Sequence, residues 1–391
     1  MNKKFVFILI LLTLLLYARP FWQWFQAKKG APGPSFHVVS ALPGATNERP
    51  FMKEEFIGPP GAMQVHAASM AELGDGTLAA VWYGGEYEGS KDTRIYFTTR
   101  VPRAPGEEGE WSLPRGIVDR VSAGKELKRY IKKTGNPLIF SGPGDRLWLI
   151  YVTVSVGGWS GSALNVTVSH DRGRNWAPGR RLTLSPFFNV SELVRNNPLP
   201  LTGGGYVIPI YHECIGIFSE LLWFFPKSDG KGLNYRKTRL TWGKRFLQPT
   251  IVALSPDSAV TFHRGHGVRK NIGMSFGEDG GETWTAPGYI ELPNPDAGIA
   301  ALLLSDGRVL LAYNHHRETR ENLSLAVSDR GFRSWRRAAV LEDTPGEEFS
   351  YPYLLPTGDG SIHLVYTWKR QRIKHVVFNE AWLHKQVSDE R

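Results

Sequence analysis

The chain has 391 residues, 41% hydrophobic and 12% aromatic, enough to bury one large core or two ordinary ones. Forty-seven Lys and Arg against 37 Asp and Glu give a formal charge of +10, and Lys3, Lys4, Arg19, Lys28 and Lys29 supply five of it. That balance favours anionic partners; without a long basic run or a basic helical stripe it speaks against nucleic acid, and the single Cys214 excludes an internal disulfide.

The first element is the apolar run "FVFILILLTLLLY" between "MNKK" and "ARPFWQWFQAKKG". Thirteen apolar residues suit a signal-peptide core, whereas a full span needs about twenty. No small-x-small cleavage site follows, and Phe21, Trp22, Trp24 and Phe25 suit a membrane interface. Residues 1–30 are therefore expected to be a signal peptide or, preferentially, an uncleaved anchor. The body is then exported, periplasmic or extracellular, and tethered to the inner membrane by this segment.

From residue 36 to 380 one phrase recurs, a Gly/Asp turn followed by an apolar strand that ends in polar residues. The copies are "GDGTLAAVWYGG", "PGDRLWLIYVTV", "TGGGYVIPIYHE", "SPDSAVTFHRGH", "SDGRVLLAYNHH" and "GDGSIHLVYTWK". Their spacing, 49 to 69 residues, is the length of one four-stranded unit. An earlier strand precedes each, often opened by a polar residue and proline: "GNPLIF", "NNPLPL", "LQPTIVAL" and "SYPYLL". A tryptophan phrase falls later in the units, at Trp111, Trp176, Trp284 and Trp335. Six such units predict an all-β, six-bladed propeller, with 381–391 as a C-terminal tail.

In a propeller the start of the innermost strand and the end of the second share one face. This gathers His66, Asn136, Asn197, Gln248 and Tyr351 with Trp82, Tyr83, His212, Glu213, His263, Arg264, His266, Asn314, His315 and His316. Such a concentration of polar and ionisable side chains is what a pocket needs. Neighbouring histidines on a strand point to opposite faces, so no metal and no cofactor is expected. Arg264 and Arg320 at one mouth suit a carboxylate. Asp92, on the loop after the second strand of the first unit, can reach the same mouth. Cys214, in "IPIYHECIG", reads as a buried strand residue.

The tryptophan phrase carries a resemblance. "SHDRGRNW" fits the Asp-box pattern Ser-x-Asp-x-Gly-x-x-Trp in full, "GEDGGETW" lacks only the serine, and "SDRGFRSW" has Arg330 in the place of the aspartate. With these boxes in six periodic units, the chain resembles the sialidase (neuraminidase) superfamily with its bacterial neuraminidase repeats. The resemblance implies that Asp92 is the acid/base, Tyr351 the nucleophile, and Arg264 and Arg320 two of three arginines clamping the sialic acid carboxylate. Two positions depart from it: His66 stands where the first arginine belongs, and Gln248 where a glutamate activates the tyrosine. A phenol with a pKa near 10 needs a base at neutral pH, and Glu213 is the substitute within reach.

The expected activity is hydrolysis of a terminal acidic sugar from a glycan, with an acidic glycan as partner. Elimination on a uronic acid polymer and carbohydrate binding without turnover are the alternatives.

Overall fold

Each sequence repeat folds into one twisted antiparallel sheet, and the sheets stand around a common axis. The computed structural model describes residues 3–28, 35–40, 49–59, 61, 63–102, 109–227 and 232–389. Blade one is Gln64–Glu72, Leu78–Gly85, Arg94–Arg100 and Arg115–Asp119; blade two is Lys133–Gly142, Arg146–Val154, Ser162–Ser169 and Arg180–Arg181. In blade three the inner strand is broken into Leu193–Val194 and Leu199–Pro200, followed by Tyr206–His212, Phe218–Pro226 and Leu233–Arg239. Blade four is Phe246–Ala253, Ala259–Gly265, Asn271–Gly277 and Gly288–Pro293; blade five is Ala300–Leu303, Val309–Tyr313, Asn322–Ser328 and Trp335–Asp343. The inner strands touch neighbour to neighbour around the ring.

Blade six holds Phe349–Pro356, Ile362–Trp368 and Arg372–Phe378, and takes its outer strand from the other end of the propeller: Met52–Ile57 pairs antiparallel with Arg372–Phe378, Met52 opposite Phe378. Glu55 on that strand takes hydrogen bonds from Trp111 Nε1 (2.9 Å) and Arg100 Nη1 (3.1 Å) of blade one. Its oxygen also lies 2.9 Å from His375 Nδ1. The closing strand thus ties the last blade to the first.

The second strands are the most buried; Leu78–Gly85 and Val309–Tyr313 are buried at every position. Residues covered on both faces read as unbroken apolar runs, which is why the repeat was visible.

The tryptophan turns join third to fourth strands. Asp171 Oδ1 accepts from Ser169 Oγ and from the Asn175 amide, both at 2.8 Å, and Asp279 binds the Thr283 amide at 2.9 Å in the same way. In the third box the aspartate sits one position earlier than the pattern: Asp329, not Arg330, accepts from the amide four residues on, Arg333, at 2.8 Å. The turn needs a carboxylate aimed at that amide, and the added residue before Trp335 absorbs the shift.

The N-terminal segment forms one helix, Lys3–Lys28, with Pro20 inside it. Its stretch Lys3–Ala27 is long and apolar enough to cross a membrane, with a mean hydropathy of 2.1 over its most apolar 18 residues. The aromatic cluster thus extends the thirteen-residue apolar run instead of ending it. Residues read as a tail belong to a C-terminal helix, Glu380–Asp389, whose Leu383 is buried against blades five and six.

Candidate functional site

Four inner strands enter the mouth through the same defect. Their pairing slips between His66 and Ser69, Gly135 and Leu138, Leu247 and Thr250, and Ser350 and Tyr353. Within these bulges Ala67, Asn136, Gln248 and Tyr351 take φ values of 54°, 40°, 49° and 56°. A bulge leaves a residue outside the ladder and re-aims it. The proline that follows in three of them has no N–H to miss from the ladder, which accounts for the polar-then-proline phrase. In blade five Gly298 comes to the same ring: a Cβ there would stand 3.1 Å from Tyr351 Cδ1 and 3.2 Å from Gln248 Oε1.

Tyr351 is thereby held at the floor of the mouth. His66 meets its ring edge-on, centroids 4.8 Å apart, and the guanidiniums of Arg195 and Arg320 each lie 5.6 Å from the ring centre. Asn136 Nδ2 (3.2 Å) and Gln248 Nε2 (3.3 Å) both donate to the buried Tyr211 hydroxyl. His66 contacts Thr367 Oγ1 through Nδ1 at 3.1 Å and points Nε2 toward Glu88 and Glu348, at 3.5 and 3.9 Å.

Arginines and carboxylates alternate around this floor. Arg264 Nε donates to Asp296 Oδ1 (2.7 Å) and its Nη1 to Gln248 Oε1 (3.1 Å), while His266 Nδ1 lies 2.9 Å from Asp296 Oδ2. Arg320 Nη2 donates to the Asp296 carbonyl at 2.7 Å, and its Nη1 lies 3.5 Å from Glu348. Arg370 bridges Glu348 (2.6 Å) and Glu88 (2.8 Å). The two arginines picked from the sequence therefore meet at one aspartate, and Arg370 stands beside His66, where the first-blade arginine is missing.

The charges tune one another. Burial alone would lower the Arg264 pKa, but Tyr351 and Asp296 beside it raise it. Burial would raise Asp296, and Arg264 and His266 hold it below the usual carboxylate range. His66 first, then Arg370, hold Glu88 down at about 2, so it stays ionised. Burial pushes the Glu213 carboxyl up, against the pull of Arg264.

Arg195 escaped the sequence reading. It is 2% exposed, donates to the Ala68 carbonyl at 2.8 Å and to the carbonyls of Tyr351 and Pro352, and meets no carboxylate among the described residues. Burial brings its pKa down to about 10. It lies in the broken inner strand of blade three, whose pairing opens at Leu193, before the "NNP" phrase. For the same reason Asn197 is not at the mouth: it lines the cavity of about 240 Å³ at the far end of the channel and donates to the Leu354 carbonyl.

Other candidates disperse. Asp92 is exposed on its loop, where it accepts from Ser90 Oγ and, at 3.0 Å, from the Glu86 amide. His212 stacks on Phe218 at 4.5 Å, and the buried His263 lies between Ser219 and Thr261. His315 contacts the Tyr313 hydroxyl, and His316 Nδ1 accepts from the amides of Glu318 and Thr319. Cys214 is exposed, not buried, because the second strand of blade three ends at His212 and leaves it on the rim loop.

Solved structures share this architecture. A protein of unknown function from Dyadobacter fermentans aligns with a TM-score of 0.66 at 14% identity, over 84% of this chain and 99% of that one. The intramolecular trans-sialidase of Ruminococcus gnavus gives 0.63 at 14% identity over 82% and 95%, and the NanB sialidase of Streptococcus pneumoniae 0.59 at 12% over 83% and 70%. At such identities the likeness is one of fold. No curated protein matches in sequence. The model of the BNR repeat-like domain matches residues 76–364, well over half of the chain. With its boxes and six blades, the chain belongs to the BNR repeat-like domain family and is a sialidase-like BNR propeller protein.

Proposed function

We propose that the chain is an exo-glycosidase that hydrolyses a terminal acidic sugar, held outside the cytoplasm by its N-terminal helix. The observation that supports this most is the convergence of Arg264 and Arg320 on Asp296 beside Tyr351, which the bulge presents to the mouth. The sugar carboxylate enters between these guanidiniums, and the Tyr351 oxygen attacks the anomeric carbon as the glycosidic bond breaks. Glu213 takes the phenol proton that Gln248 cannot accept. Asp92 delivers a proton to the leaving oxygen once its loop folds over the mouth. Water then hydrolyses the covalent tyrosyl glycoside, and the tyrosine nucleophile is a known exception to the two-carboxylate scheme.

The test uses the full chain in detergent, a fluorogenic sialoside and a panel of acidic oligosaccharides. Tyr351→Phe is expected to lower release of the acidic sugar by more than about 10³-fold. Release untouched by the substitution would return Tyr351 to the pocket wall.

The edge-on contact of His66 with Tyr351 favours a second reading, β-elimination on a uronic acid, in which His66 removes the α-proton and Tyr351 protonates the leaving oxygen. An unsaturated product absorbing in the ultraviolet separates it from hydrolysis.

A further inference from the structure

The mouth has an uneven rim. On blades three and four the loops after the second strands, and the loop leading into blade four, carry large apolar side chains in solvent: Ile215 is 91% exposed, Trp242 77% and Val268 100%. These loops support one another, since the Ile217 amide donates to the Gly243 carbonyl (3.1 Å) and the His266 amide to the Arg245 carbonyl (2.7 Å). His266 in turn binds Asp296, so the rim is continuous with the arginine cluster.

Basic residues stand between the apolar ones. Arg239 lies 4.4 Å from the Trp242 ring centre and Arg269 the same distance from that of Tyr289. Arg239 faces the buried Glu220 at 3.5 Å and Lys270 faces Glu318 at 3.8 Å. Lys244, Arg245, Arg269 and Arg317 meet no carboxylate among the described residues. Clustered cations that outnumber the acids facing them, with an exposed indole, mark a surface built for an extended anion with flat faces.

We propose that this rim holds the remainder of a polyanionic glycan, so that the substrate is a chain of acidic sugars whose terminal unit enters the mouth. The inference rests on the glycosidase reading. Trp242 offers a stacking face to a sugar ring, and Lys244, Arg245, Arg269 and Lys270 pair with successive carboxylates. A lipid bilayer is the less suitable occupant, because seating it on this rim would cover the mouth.

Binding is measured by calorimetry on full-length Tyr351→Phe, which separates it from turnover. The probes are sialic acid and uronic acid oligomers of one to six units and neutral malto-oligosaccharides of equal length. In at least one acidic series the affinity is expected to rise at least about tenfold from one unit to four, with no rise in the neutral series. The combined K244Q, R245Q, R269Q and K270Q substitutions are expected to abolish the rise, and W242A to reduce it. A flat response, equal gains with neutral chains, or a rise that survives the quadruple substitution would overturn the proposal. So would phosphatidylglycerol vesicles that bind through the same four residues while oligomer length has no effect. Loss of hydrolysis by the unmodified chain, with the length dependence intact, would instead overturn the glycosidase reading alone.

Discussion

Asp92 and Tyr351 illustrate how differently two residues matched to one mechanism can be placed. Tyr351 is fixed by backbone, with φ of 56° and its carbonyl bound by Arg195. Asp92 is exposed, and Ser90 first, then the Glu86 amide, hold its carboxyl below the usual range. If loop closure brings it to the leaving oxygen, Asp92→Asn should slow natural glycosides by about 10²-fold or more. Aryl glycosides with good leaving groups, which need no protonation, should lose far less. Equal losses for both, read as kcat/KM across a leaving-group series, would remove Asp92 from the acid role. Residues that define the site but were not legible share one trait: Asp296, Glu348, Arg370 and Glu88 lie on connecting loops or at strand ends outside the repeated phrase. No period marks them, and only the fold shows that Glu348 and Arg370 meet at 2.6 Å.

At the scale of elements, the strands were legible because apolar runs and turn residues repeat with the blades. The exceptions were places where a blade breaks its own pattern, as in the split inner strand of blade three. The outer strand of blade six lay where no local pattern could assign it, since "MKEEFI" gains its partner only by ring closure. Two blades also carry buried neutral histidines. Burial, with His375 adding to it at His363, holds His263 and His363 at about 3, below the ordinary 6.5. Between those values the unfolded chain binds protons that the fold does not. Their stabilisation is complete above about pH 6.5 and drains as pH falls, by up to ~1.4 kcal/mol per pH unit for each. Glu55, held at about 2 mainly by His375 and Trp111 against the opposing effect of burial, contributes above about pH 4.5 and loses that contribution toward pH 2. Urea unfolding at pH 7, 6 and 5 should therefore show falling stability, with a shallower fall in His363→Gln. An identical slope in the variant would place the acid lability in other groups.

For the whole molecule, the long apolar helix Lys3–Lys28 is the element to test for membrane attachment. Its Tyr17 packs on Phe187 at 5.1 Å, and Thr183 donates to its Gln23 at 3.2 Å, so it leaves the body beside Leu233–Arg239, the outer strand of blade three. Full-length chain should sediment with membranes through alkaline and high-salt washes, and a chain beginning at residue 29 should stay in the supernatant. Equal sedimentation of both would assign membrane retention to the propeller instead.

The closing strand has a consequence for how such a chain survives its own synthesis. Met52–Ile57 is delivered early, and its partner Arg372–Phe378 only at the end, so through most of synthesis the strand waits with unpaired amides and carbonyls. Its sequence suits the wait: Lys53, Glu54 and Glu55 make it a poor template for neighbouring chains that are equally unfinished. When blade six arrives, the same charges become its fasteners, Glu54 taking Lys374 at 2.9 Å and Glu55 taking His375. Residues that deter aggregation in the nascent chain become the lock of the finished ring.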